Sequence, residues 1–185
     1  MDDMSAVAAC RSGERTAFRA IYERYVERIY AFVYAKTFHR ETAEDIVSET
    51  FMKALNKIAS FDTTKGTVQA WLYRIASNAV IDHYRRAKRT TASDTIEIAE
   101  EHDYAHDISE REAHAKAMKL LAGIDPKKRD IIVMRVWQEM SFKEIADVFG
   151  ENEPQVKMTF YRAVSALKKA MPLTVFLLLS LGRAL

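Results

Sequence analysis

Trp71-Leu-Tyr-Arg-Ile-Ala-Ser-Asn-Ala-Val-Ile-Asp-His-Tyr-Arg-Arg86 reads as one helix with two unlike faces. Trp71, Leu72, Ile75, Ala76 and Ala79 recur at helical spacing and form an apolar seam. Arg74, Asn78 and Arg85 line up on the other side, and Tyr73, Ser77 and Tyr84 are expected to form a second stripe beside them. Guanidinium groups hold phosphates, aromatic rings stack unpaired bases, and amides read base edges. The competing reading is a solvated charged face with a few tyrosines, and the helix by itself leaves both open.

The 185 residues suit one ordinary domain or two small ones, and 49% are hydrophobic, enough for real cores. The net charge is only +2, so the placement of charge matters more than its sum. A single cysteine, Cys10, rules out a disulfide within the chain and a cysteine-based metal cluster. The five histidines show no His-Glu-x-x-His spacing, and no metal or cofactor is expected. Met1-Asp-Asp-Met4 has no basic region followed by an apolar one, so no secretory signal is expected. These features point to a reducing, cytoplasmic setting. Glycine and proline are scarce and helical periodicity is long, which predicts an all-α protein.

Before the Trp71–Arg86 helix, Phe18, Ile21, Tyr22, Tyr25, Val26, Ile29, Tyr30 and Val33 repeat at three and four residues. That pattern predicts an amphipathic helix, with the aromatics in the core and Arg24, Glu27 and Arg28 in water. Thr42 is expected to cap a helix starting at Ala43 that buries Ile46, Val47, Phe51, Ala54, Leu55 and Ile58. Its acids (Glu44, Asp45, Glu49) come early and its lysines (Lys53, Lys57) late, which suits the helix dipole. The same acids could also be a patch for a basic partner. A loop, Asp62–Thr67, turns at Gly66 and leads into the Trp71 helix. That helix ends in Arg85-Arg86-Ala-Lys88-Arg89, a concentrated positive patch beside tyrosine.

Composition then changes. Ser93–Glu112 holds eight acids against one arginine. Residues 90–112 are therefore expected to be a flexible acidic linker between two small helical domains, spanning 1–89 and 113–171. In the second, Ala113–Gly123 is helical by pattern and Pro126 opens the next helix, which runs to Trp137. Ser141-Phe-Lys-Glu144 fits a capping box for the short helix Phe142–Phe149. Gly150 turns the chain, Asn152 caps, and a last helix runs from Glu153 to about Ala170. Short helix, glycine turn, longer helix is the helix-turn-helix pattern. Val156, Phe160, Ala163 and Leu167 face inward, whereas Gln155, Met158, Tyr161, Arg162 and Ser165 face out, flanked by Lys157 and Thr159. The apolar tail, residues 172–185, is too short to cross a bilayer, which needs about 20 apolar residues. It is expected to pack on the second domain.

These motifs, in this order and at these separations, resemble the bacterial RNA polymerase sigma factors of the ECF (extracytoplasmic-function) group, within the sigma-70 family. The resemblance rests on Ala43–Phe51, on Trp71–Asn78 followed by Asp82–Arg86, and on Ser141–Ala146 with Val156-Lys157 and Tyr161-Arg162-Ala163. It implies that Glu44, Asp45 and Glu49 dock on core RNA polymerase. It implies that Asn78, with the loop Asp62–Thr67 and with Lys65, Arg74, Tyr84, Arg85 and Arg86, holds the melted −10 element and a flipped base. It implies that Gln155, Lys157, Met158, Tyr161 and Arg162 read the duplex −35 element, and that an anti-sigma factor controls the protein. No small-molecule substrate is implied. Met158 and Thr159 stand where many relatives carry arginine or serine, which turns base reading away from polar contacts or toward thymine methyl groups. Glu153-Pro154 replaces a small, uncharged pair, and Glu153 would weaken non-specific affinity near phosphates. Two rivals remain. One is a stand-alone helix-turn-helix regulator; the other is a polymerase-binding protein that no longer reads promoters. An enzyme has little support, since no nucleophile–base pair or phosphate-binding glycine loop stands out.

Overall fold

The computed structural model describes residues 1–90 and 125–170. The regular elements among the described residues are all helices, as the scarcity of glycine and proline predicts. They fall into two units, divided between Glu101 and His102. The acidic linker beyond Thr90, the helix expected over Ala113–Gly123 and the tail from 172 lie outside the described residues.

The first unit holds α1 (Asp3–Arg11), α2 (Phe18–Thr37), α3 (Arg40–Lys57) and α4 (Val68–Thr90). Helix α1 has no counterpart in the sequence reading. The Asp2 carboxylate accepts from the Ser5 N–H at 2.9 Å, and Ala6, Val7 and Cys10 form its buried side. Asp3 then ties α1 to α2 by accepting from the Tyr25 hydroxyl at 2.5 Å and from Arg24. Arg11 donates to the Phe61 carbonyl, fixing the approach to the loop before α4.

Helix α3 begins earlier than expected. The His39 ring nitrogen, not Thr42, is the cap, accepting from the Thr42 N–H at 3.2 Å. Thr42 lies within the first turn, its hydroxyl 3.0 Å from the same nitrogen. Helices α2, α3 and α4 enclose one core of Ile21, Ile29, Phe32, Ile46, Phe51, Leu72 and Tyr73. Of the aromatics expected in it, Phe18 and Tyr25 are buried, Tyr30 is half-buried and Tyr22 is exposed. Leu55, also expected to be buried, is half-buried.

The second unit holds α5 (Pro126–Val136), α6 (Phe142–Phe149) and α7 (Glu153–Ala170). Both arms of the capping box form: Ser141 Oγ accepts from the Glu144 N–H at 3.1 Å, and Glu144 accepts from the Ser141 N–H at 2.8 Å. Gly150 ends α6 at φ 67°, a left-handed conformation that strains any residue with a Cβ. Asn152 caps α7, accepting from the Gln155 N–H at 3.0 Å. Ile132, Ala163 and Leu167 form the seam between α5 and α7, with Val136, Trp137 and Phe160 against it.

Candidate nucleic-acid interfaces

The loop before α4 is pinned by one carboxylate. Asp62 accepts from the Thr64 N–H at 3.0 Å and the Thr64 hydroxyl at 2.6 Å, and lies 3.1 Å from the Lys65 ammonium. These bonds, the hydroxyl's first, hold its pKa down to about 2. Thr67 then caps α4, its hydroxyl accepting from the Ala70 N–H at 3.2 Å.

Helix α4 buries Leu72, Tyr73, Ala76, Ser77, Ala79 and Val80. The stripe of Tyr73, Ser77 and Tyr84 therefore does not form a surface. Tyr73 is 0% exposed. Its ring meets Phe32 edge-on at 5.0 Å, its hydroxyl donates to the Arg28 carbonyl at 3.4 Å, and burial pushes its pKa far up. Ser77 accepts from Lys36 at 3.4 Å. Trp71 and Ile75, expected in the seam, are only half-buried. The cause is α2: its Phe32 and Lys36 take the Tyr73–Ser77 side, rotating the buried stripe away from Trp71 and Ile75.

The opposite row stands as expected, with Arg74, Asn78 and Arg85 all exposed. It also contains Ile81, 49% exposed, which the sequence reading missed. Ile81 lies three residues after Asn78 and four before Arg85, so helical spacing was the signal. Tyr84 is 47% exposed; its hydroxyl donates to the Lys36 carbonyl at 2.9 Å, which anchors the ring on the surface. The basic end is held by acids: Arg85 lies 3.7 Å from Asp82, and Arg86 lies 3.5 Å from Glu49 on α3.

The three acids of α3 have different surroundings. Glu49 is bonded to Lys53 at 2.6 Å and faces Arg86, and Lys53 foremost keeps its pKa low. Asp45 is exposed. Glu44, 2.8 Å from Arg40, borders an apolar groove between α2 and α3, where Tyr22, Val26, Val47, Phe51 and Met52 form the walls.

On α7, Gln155, Lys157, Met158, Tyr161 and Arg162 are all exposed, while Val156, Ala163 and Leu167 are buried. Phe160 is half-buried and meets Phe142 edge-on at 5.4 Å. Tyr161 leans on the same pair, 5.5 Å from Phe160 and 6.2 Å from Phe142. The Arg135 guanidinium lies 4.7 Å over Phe142 and donates to the Met140 carbonyl at 2.8 Å. This stack fixes α6 against the base of α7.

The first unit thus offers a cationic helix face and the second an exposed helix-turn-helix reader, the equipment of a DNA-handling protein. Residues 21–90 match the model of Sigma-70 region 2, and residues 114–167 match that of Sigma-70, region 4. The chain is 30% identical over 166 residues to the RNA polymerase sigma factor YlaC of Bacillus subtilis, covering 85% of this chain and 93% of that protein. It is 31% identical over 173 residues to the ECF RNA polymerase sigma factor BldN of Streptomyces coelicolor, covering 91% of this chain and 66% of that longer relative. The sigma factor RpoE of Bartonella quintana, solved with the anti-sigma factor NepR, shares the fold at a TM-score of 0.69 and 22% identity, over 82% of this chain and 94% of that one. The chain belongs to the sigma-70 family of RNA polymerase sigma factors, in its ECF group. It is a promoter-directing initiation factor in which region 4 is the part that reads the −35 element. No helix among the described residues is long and apolar enough to cross a membrane.

Proposed function

We propose that this cytoplasmic protein, itself not an enzyme, divides promoter recognition between two helix faces. The observation that carries this reading is the exposed row Arg74, Asn78, Ile81 and Arg85 on α4, set opposite a fully packed side. Cations at Arg74, Arg85 and Arg86 and at Lys65 follow the phosphates of the melted −10 strand. Asn78 hydrogen-bonds a flipped base, and Ile81 and Tyr84 give it apolar surface. Extruding a base costs a few kcal/mol, which such contacts must offset. Lys157, Gln155, Met158, Tyr161 and Arg162 read the −35 duplex from the major groove. Residues 1–89 and 113–171 act as the two reading domains, tethered by 90–112.

Core polymerase docks on the groove between α2 and α3, with Glu44 and Asp45 at its rim. Glu49, expected at the same surface, also lies 3.5 Å from Arg86 of α4. An anti-sigma factor silences such a protein by covering these faces.

Run-off transcription on a genomic fragment library tests the reading. Core polymerase with this chain should start at a shared two-part motif, of which Asn78→Ala should lose the start-proximal part and Arg162→Ala should weaken the upstream part. Core binding without new start sites would favour a docking protein. Tight duplex binding without core polymerase would favour a stand-alone regulator.

A further inference from the structure

Building on the assignment of α7 to the −35 element, we infer that Met158 makes the central base contact and selects a thymine through its C5-methyl group. At about 3.6 residues per turn, Met158 falls directly opposite the buried stripe of Val156, Ala163 and Leu167. Gln155 and Arg162 lie to one side of it, Tyr161 and Lys157 to the other. Met158 is 49% exposed and Tyr161 56% exposed, an apolar pair three residues apart in the half of the helix that meets base edges.

The neighbouring hydroxyl does not compete for that place. The Thr159 hydroxyl donates to the Gln155 carbonyl at 2.9 Å, so it is committed to the helix backbone. Lys157 and Arg162 form no ion pair with the described residues, so both are available to the phosphates and guanines flanking the contact. An apolar centre between cationic flanks matches the thymine methyl, the apolar group on the major-groove edge of the bases. A thioether on a flexible stem adapts to it closely.

The test uses holoenzyme assembled from core polymerase and the full chain, on a promoter obtained by run-off transcription. Each thymine of the −35 element, on either strand, is replaced singly by deoxyuridine, which removes only the methyl group. One position should weaken binding about fourfold, the worth of one buried methyl. That penalty should vanish in Met158→Ala and persist in Met158→Leu. Uniform tolerance of deoxyuridine, or a penalty unchanged in Met158→Ala, overturns the inference while leaving the −35 reading intact. Failure of wild-type holoenzyme to prefer any −35 sequence overturns both.

Discussion

The outward faces of α4 and α7 share a plan but hold their cations differently. Each sets one exposed aliphatic side chain (Ile81, Met158) among basic and amide groups. On the α4 side, Lys65, Arg85 and Arg86 each sit against an acid of the same unit: Asp62, Asp82 and Glu49. On α7, Lys157 and Arg162 have no such partner among the described residues. On the proposed reading, DNA arriving at α4 has to displace these acids before its phosphates are gripped, whereas Lys157 and Arg162 of α7 are paired with no acid among the described residues. The first face suits a strand that exists only after melting. The second suits duplex that is present from the start.

Disrupting the packing under one face is the strongest way to separate the two. Tyr73→Ala empties a fully buried ring site against Phe32 and should cost about 3–5 kcal/mol. Chemical denaturation should show the first unit unfolding early and the second unchanged. A smaller effect is expected from Arg162→Ala: about 1–3 kcal/mol of base discrimination lost at one −35 position, read by competition binding of holoenzyme. Ser141→Ala removes the hydroxyl arm of the capping box and should destabilise the second unit by about 1 kcal/mol in thermal melts. Asp82→Asn should narrow the contrast by releasing Arg85. Exposed pairs of this kind are worth about 0.2–1 kcal/mol, so binding to a pre-melted −10 strand should rise by less than about fivefold, and less at high salt.

The smallest effect is a titration. The Asp62 carboxyl is depressed, so its stabilisation of the loop is present above the ordinary carboxylate range and fades as pH falls toward about 2. Carbon-detected NMR should place its midpoint there. Thr64→Val, which removes the hydroxyl donor but keeps the N–H, should move it part of the way back up.

The described part of the second unit was almost wholly legible. Ser141, Glu144, Gly150 and Asn152 are local signals, and each acts within three or four residues of itself. The first unit was less so, because its answers depend on distant partners. Which side of α4 is buried depends on Phe32 and Lys36 of α2, and spacing within α4 does not report them. Tyr73 and Ser77 were therefore assigned to the wrong face, and Ile81 was assigned to neither. Helix α1 escaped because its buried side is made of small residues with little periodic contrast. A histidine nitrogen in a role usually held by a hydroxyl or carboxylate hid the start of α3.

The most direct test of the division between the faces is initiation from a promoter library randomised over both elements, sequenced by start site. Wild-type holoenzyme should select two separate blocks. Asn78→Ala should lose preference within the start-proximal block alone, and Arg162→Ala at one position of the upstream block alone. Loss of the same block in both variants, or a wild type without an upstream preference, would contradict the account.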